Sequence, residues 1–98
     1  MFEIEKNDAG LVVLIGRLDT AQADKAQRLL AGVDGPCVID FSQLEFISSS
    51  GLGVLLVTQK RVAKEGGSLK LVNMTQRMRD VFRYTGFDRI FDIDEETD

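Results

Sequence analysis

The chain contains no histidine and only one cysteine, Cys37, among its 98 residues. A single cysteine excludes an internal disulfide framework, and the chain has no histidine that could pair with Cys37 as its base or as a fellow metal ligand. We interpret Cys37 as a small core residue. The carboxylates are scattered along the chain, so they predict neither a metal cluster nor a glycosidase pair.

Long hydrophobic runs and a net positive charge are also missing. No window approaches the roughly 18 consecutive apolar residues of a membrane span, and the first six residues do not resemble a secretory signal. We therefore expect a cytoplasmic protein with no membrane insertion. The net charge of −4, with acidic residues spread along the chain, argues against nucleic-acid binding, so the expected partner is a protein.

Enzyme chemistry finds little support in the motifs. A serine nucleophile needs a base, and with no histidine only a lysine or a carboxylate could serve. The segment Gly51-Leu52-Gly53 lacks the third glycine of a dinucleotide fingerprint and is not followed by the lysine of a P-loop. We therefore expect the chain not to be an enzyme and to bind no cofactor.

The hydrophobic pattern predicts a single α/β domain over residues 1–93, followed by an acidic tail, residues 94–98, that we expect to be disordered. An alternating segment, 2–6, and an unbroken apolar run, 11–15, predict an N-terminal hairpin whose second strand ends at Gly16 and is buried on both faces. Further strands are predicted at 37–41, 68–72 and 90–93, with helices at 21–31, 52–64 and 75–85. This alternation predicts a mixed, mostly parallel β-sheet with packed α-helices.

Three consecutive serines, Ser48, Ser49 and Ser50, separate an apolar strand-like segment from the second predicted helix. Serine is a favoured N-cap, because its hydroxyl accepts a hydrogen bond from a free backbone N–H of the first turn. The positive end of the helix dipole also favours an anion there. The serine run therefore predicts a helix start that tolerates a phosphate.

The second predicted helix has an apolar stripe and an apolar exception. With Leu52 at the centre of the buried face, three-residue and four-residue steps bring Leu55, Leu56, Val62 and Ala63 to the same side. Val54 and Val57 point away from this stripe. They either contact a neighbouring helix or belong to a partner-binding surface, which we predict to comprise Val54, Val57, Thr58 and Arg61.

The run from Val38 to Gly53, together with Gly16-Arg17-Leu18-Asp19, resembles the signature of STAS domains, and specifically of bacterial anti-sigma-factor antagonists. The resemblance spans the whole chain and implies a STAS-like strand order and an exposed binding surface around the second helix. In that family a serine at this helix start is phosphorylated by a partner that is both serine kinase and anti-sigma factor. Matched residue by residue, the phosphoacceptor is Ser49, and Ser50 and Gly51 take the second serine and the glycine. Leu52 and Gly53 complete the helix start. Ser48 stands where the family has an aspartate, which makes Ser48 an alternative acceptor.

Two functions follow from this resemblance. The first is a phosphorylation-controlled switch that sequesters an anti-sigma factor when Ser49 is unphosphorylated and is restored by a serine phosphatase. The second is a STAS module that is not phosphorylated and acts as a scaffold or subunit of a transporter or signalling assembly. The serine at position 48 favours the second function.

Overall fold

Residues 1–7, 10–33 and 37–94 are described in a computed structural model of the chain. They form five strands, three α-helices and two short 3-10 turns. The strands are β1 (Phe2–Lys6), β2 (Leu11–Leu18), β3 (Cys37–Ile47), β4 (Leu69–Val72) and β5 (Asp92–Ile93). The helices are α1 (Ala23–Leu30), α2 (Ser49–Lys64) and α3 (Gln76–Thr85), and the 3-10 turns are Thr20–Gln22 and Phe87–Arg89.

The five strands form one sheet in the order β1-β2-β3-β4-β5. Strands β1 and β2 are antiparallel, and every later pair is parallel, which confirms the predicted hairpin and the mostly parallel sheet. Each parallel pair is joined through a helix, and the three crossovers step across the sheet in the same direction. Since such crossovers are right-handed, this order places α1, α2 and α3 on one face of the sheet.

Burial along the strands agrees with this one-sided arrangement. Side chains that share register positions on one face, Val12, Ile39 and Leu71, are almost completely buried. Their alternating neighbours Leu11 and Val13 are only half-buried. The prediction that β2 is buried on both faces is therefore wrong. The physical reason is that an unbroken apolar run is also compatible with a strand that has one covered and one partly open face.

Two strands are longer than their patterns predicted. Strand β2 continues through Gly16 to Leu18, and β3 continues from Phe41 through the segment 42–45, which the sequence suggested was a connection. The register between β2 and β3 shifts within this segment, so its polar residues remain part of the strand. Polar side chains are tolerated there because one face of the sheet is open. The extended β3 ends at Ile47, close to the start of α2.

The helix ends follow local capping rules. Helix α1 starts at Ala23, two residues later than predicted, because Asp19 caps the preceding 3-10 turn by accepting from Gln22 N at 3.2 Å. Thr75 caps α3, and Gly86 ends it with φ of 80°, as predicted. Residues 95–98 of the expected disordered tail lie outside the described residues, whereas Asp94 N donates to Leu71 O at 2.9 Å.

Within the described residues, none of the helices combines the length and the hydropathy that a membrane crossing requires.

Candidate functional site

Ser48 begins the site by joining three elements. Its hydroxyl accepts a hydrogen bond from Gly51 N at 3.1 Å, which makes it the N-cap of α2. Its own backbone N donates to Leu18 O at 2.9 Å, at the end of β2. The predicted helix start is therefore confirmed, and it is anchored where the parallel strands β2 and β3 both end.

The three serines differ in what their hydroxyls do. The Ser48 hydroxyl is half-buried and is used by the cap, and the Ser50 Oγ lies 3.5 Å from Thr20 Oγ1. Ser49 is exposed, is the first residue of α2, and forms no side-chain hydrogen bond with any residue that the structure describes. The first turn of α2 contains no acidic residue, so its positive dipole end is not compensated by a local carboxylate.

Gly51 fits a space that admits no side chain. A Cβ at this position would lie 2.7 Å from Leu18 Cγ, 2.9 Å from Ile47 Cγ1 and 2.9 Å from Leu18 O. The helix start is thus pressed against the ends of β2 and β3. Gly53, two residues further along the helix, has no other group within 4 Å of the corresponding Cβ position. Of the two glycines in the predicted phosphate environment, only Gly51 is required by close packing.

The orientation of α2 corrects part of the predicted partner surface. Val54 and Thr58 are each only 5% exposed, so the expectation that they face outward is wrong. The buried residues of α2 are Gly51, Leu52, Val54, Leu55, Thr58 and Val62, whereas Ala63, which was expected in the core, is exposed. Leu52 thus lies at one border of the buried arc, since α2 packs against α1 as well as against the sheet.

Val57 and Arg61 have different environments. Val57 is 52% exposed and remains available for a partner. The Arg61 guanidinium donates to Leu30 O at 3.1 Å and to Val33 O at 2.6 Å, and it pairs with Glu65 at 3.3 Å. Arg61 was predicted to belong to the partner surface. Instead it holds the carboxyl-terminal end of α1 against α2, because the carbonyls at the negative end of a helix attract a cationic donor.

Further residues reach the same edge of the sheet without having been predicted as site residues. Arg17 and Phe46 pair in register, and the Arg17 Cζ lies 4.5 Å above the Phe46 ring centroid. Thr20 lies beside Ser50, as described above. Arg17 stands in the Gly16 to Asp19 motif, which was the available signal for this part of the site. Phe46 stands in the run from Val38 to Gly53, which carried the same resemblance, whereas Thr20 lies in neither motif.

Two titratable side chains lie in the core region, away from the serines. Burial raises the pKa of the Cys37 thiol, against a smaller opposing effect of Lys6, and the side chain is 5% exposed, as predicted for a core cysteine. Burial also acts to raise the pKa of Asp40, but hydrogen bonds from Ser42 and Asn73 outweigh it, and the net pKa is lowered. Among the described residues there is no cluster of three or more His, Cys, Asp or Glu that could hold a metal ion.

Comparison with known protein families assigns the chain to one of them. The model of the family described as "Mlab, STAS domain" matches residues 2–93. The chain belongs to the STAS domain family. Its mixed sheet, its one-sided helices and the serine-capped α2 are thus the STAS domain of this chain.

Named relatives resemble parts of the chain. The anti-sigma-B factor antagonist of Bacillus subtilis is 42% identical over 62 residues, which are 63% of this chain and 54% of the relative. BtrV of Bordetella bronchiseptica, described as a candidate anti-sigma factor antagonist, is 36% identical over 73 residues, 74% of this chain and 57% of the relative. The matches therefore span little more than half the length of these relatives.

A solved structure extends the similarity over almost the whole fold. The anti-sigma factor antagonist from Mycobacterium paratuberculosis superposes with a TM-score of 0.74 at 27% identity, covering 97% of this chain and 85% of the other. The α/β architecture predicted from the sequence pattern is thus confirmed by the structure and by this comparison.

Proposed function

We propose that this STAS domain is an anti-sigma-factor antagonist that works as a phosphorylation-controlled binding switch. In the unphosphorylated form it captures an anti-sigma factor that is also a serine kinase, and a serine phosphatase restores this form. The chain is the substrate of the kinase and not itself an enzyme. Because its proposed partners control transcription, the proposal places it in the cytoplasm.

The observation that carries the proposal is the contrast among the three serines. Ser49 is exposed at the first position of α2, while Ser48 supplies the cap. A kinase can therefore modify Ser49 without removing the hydrogen bond that starts the helix. The similarity to two proteins described as anti-sigma factor antagonists supports the same function.

The electrostatics of α2 indicate how phosphate would act. A phosphoserine brings about −1.5 to −2 charges at pH 7, and a helix N-terminus tolerates or mildly favours that charge. The penalty must therefore fall on the complex. Desolvating the dianion, or placing it against a partner surface that fits a bare hydroxyl, costs about 3–4 kcal/mol, equivalent to a several-hundred-fold loss of affinity.

The partner is identified first, by capture on the immobilised chain from the source cells followed by mass spectrometry. The captured protein is then purified and titrated calorimetrically against wild type, Ser49→Ala and Ser49→Asp, with and without ATP. Ser49→Ala should bind and resist inactivation by ATP, while Ser49→Asp should bind more weakly, though less so than the phosphorylated protein. Ser50→Ala is the matched control, because Ser50 lies in the same helical turn.

Several outcomes contradict parts of this proposal. Equal affinity of the phosphorylated and unphosphorylated proteins would reduce the serine run to a helix cap. Capture of transporter subunits with no kinase would favour the scaffold function. Phosphate found only on Ser48 would keep the switch but reject Ser49 as its site.

A further inference from the structure

The face of the sheet opposite the helices presents a stacked pair of side chains near the serine run. Arg17, on β2, lies over the ring of Phe46, on β3, with its Cζ 4.5 Å from the ring centroid. Both residues are exposed, Phe46 by 36%. A guanidinium over an aromatic ring is held by cation–π attraction, so the two side chains form one ordered surface. We call Arg17 and Phe46 the stacked pair.

The backbones of both strands are arranged to produce this pair. The register shifts between Gly16, which lies opposite Leu44, and Arg17, which lies opposite Phe46, so Glu45 is an extra residue in β3. Gly16 has φ of 97°, and its missing Cβ leaves room for Met1 O, which also accepts from Arg17 N at 2.8 Å. Bulges of this kind redirect side chains and are common beside functional sites.

The cation of the stacked pair has no anionic partner within the part of the chain that the structure describes. Arg17 forms no side-chain hydrogen bond there and no ion pair within 4.0 Å with any described residue. A guanidinium has five N–H donors in a fork that matches a carboxylate. Arginine and aromatic side chains are also enriched among the residues that dominate binding energy in protein interfaces.

The stacked pair is continuous with the candidate switch. Phe46 precedes Ser49 by three residues, which limits their Cα separation to about 11 Å. The backbone next to Arg17 is tied to the serine run, because Leu18 O accepts from Ser48 N at 2.9 Å. A typical interface of about 800 Å² per partner covers both positions.

We propose that the stacked pair is a second contact for the protein that binds the Ser49 helix start, and that it fits a partner segment carrying a carboxylate and an adjacent apolar side chain. The carboxylate pairs with Arg17, and the apolar side chain covers the exposed part of Phe46. This inference rests on the proposed function. It assigns the recognition of an acidic partner segment to residues that lie outside both the serine run and the exposed flank of α2.

The test uses the full chain and the purified protein identified by capture, titrated calorimetrically at low and at physiological salt. Arg17→Glu should lower the affinity about tenfold or more, and Phe46→Ser should lower it by a similar factor. Arg17→Lys should fall between wild type and Arg17→Glu, because lysine keeps the charge but loses the planar fork. The salt dependence of binding should become shallower in Arg17→Gln.

Lys70→Glu is the matched control. Lys70 is an exposed strand residue on β4, it undergoes the same charge change, and its register position lies about 20 Å from Arg17 along the strands. Its affinity should stay within about twofold of wild type. Thermal melts of the Arg17 and Lys70 variants should coincide with that of wild type, since these side chains are exposed. Phe46→Ser should melt at a lower temperature, since the Phe46 ring is only 36% exposed, so its affinity is compared at a temperature where the variant is fully folded.

Wild-type affinity in Arg17→Glu would overturn the proposal, and so would equal losses in Arg17→Glu and Lys70→Glu. A dimer of the free chain that Arg17→Glu dissociates would assign the pair to a second copy and also reject it. Failure of the proposed switch would give a different result from failure of this inference. Phosphorylation of Ser49 would then leave the affinity for the partner unchanged, while Arg17→Glu would still lower it.

Discussion

The position of the start of α2 can be tested directly by comparing alanine substitutions of two glycines in this helix, Gly51 and Gly53. Replacing Gly51 with alanine inserts a methyl group 2.7 Å from Leu18 Cγ, 2.9 Å from Ile47 Cγ1 and 2.9 Å from Leu18 O. The two side chains can rotate away, but the carbonyl oxygen is part of the backbone of β2 and cannot. Gly53→Ala inserts the same methyl group with no other group within 4 Å.

The two substitutions should therefore change stability in opposite directions. Overpacking typically costs about 1–3 kcal/mol, and the better helix propensity of alanine returns at most about 1 kcal/mol. We expect Gly51→Ala to lower the free energy of unfolding by about 1–2 kcal/mol. Gly53→Ala should raise it by about 0.5–1 kcal/mol, because only the propensity gain applies.

Urea unfolding followed by circular dichroism measures both effects in one experiment. With a denaturant slope of about 2 kcal/mol per molar, the two midpoints should differ by about 1 M. If Gly51→Ala is as stable as Gly53→Ala, α2 does not start against the ends of β2 and β3. The reasoning that ties the position of Ser49 to those strands would then be refuted.

Three further predictions use the same unfolding and binding assays. Ser48→Ala should lower the free energy of unfolding by about 0.5–2 kcal/mol, since Gly51 N loses its acceptor, and an unchanged midpoint would show that Ser48 is not the cap. Val57→Asp should abolish partner binding and leave the melting temperature nearly unchanged, whereas the control Val54→Asp, at a buried position, should be strongly destabilised. If Val57→Asp instead unfolds, Val57 belongs to the core. The lowered pKa of Asp40 contributes stability above its unfolded value of about 4, and this contribution is lost as pH falls through the folded pKa. The stability difference between wild type and Asp40→Asn should accordingly shrink as the pH is lowered from about 5 through the folded pKa of Asp40, and a constant difference would contradict this assignment.

The sequence by itself determined the local features of the fold. The capping serine, the helix-closing Gly86, the hairpin and the alternation of strands and helices all depend on residues within a few positions of one another. Each follows from backbone hydrogen bonding at helix ends or from the periodicity of apolar side chains. The assignment of Ser49 as phosphoacceptor came from a family resemblance and stays a prediction.

The tertiary structure decided which side chains remain exposed. The pattern placed Val54, Thr58 and Arg61 on an outer surface, because a single helix shows its stripe but not the number of neighbours that cover it. Helix α1 packs beside α2, so Val54 and Thr58 are buried and Arg61 is held by carbonyls at the end of α1. That contact joins residues about thirty positions apart, beyond the reach of any local pattern.

The same distinction explains the stacked pair. Nothing in the sequence around Arg17 or Phe46 indicated that they meet, since their contact depends on one extra residue in β3 and on a glycine whose missing side chain makes room for the first residue of the chain. Local propensity determines the type of each element. Register and packing between distant elements determine which of their side chains meet, and they depend on the whole chain at once.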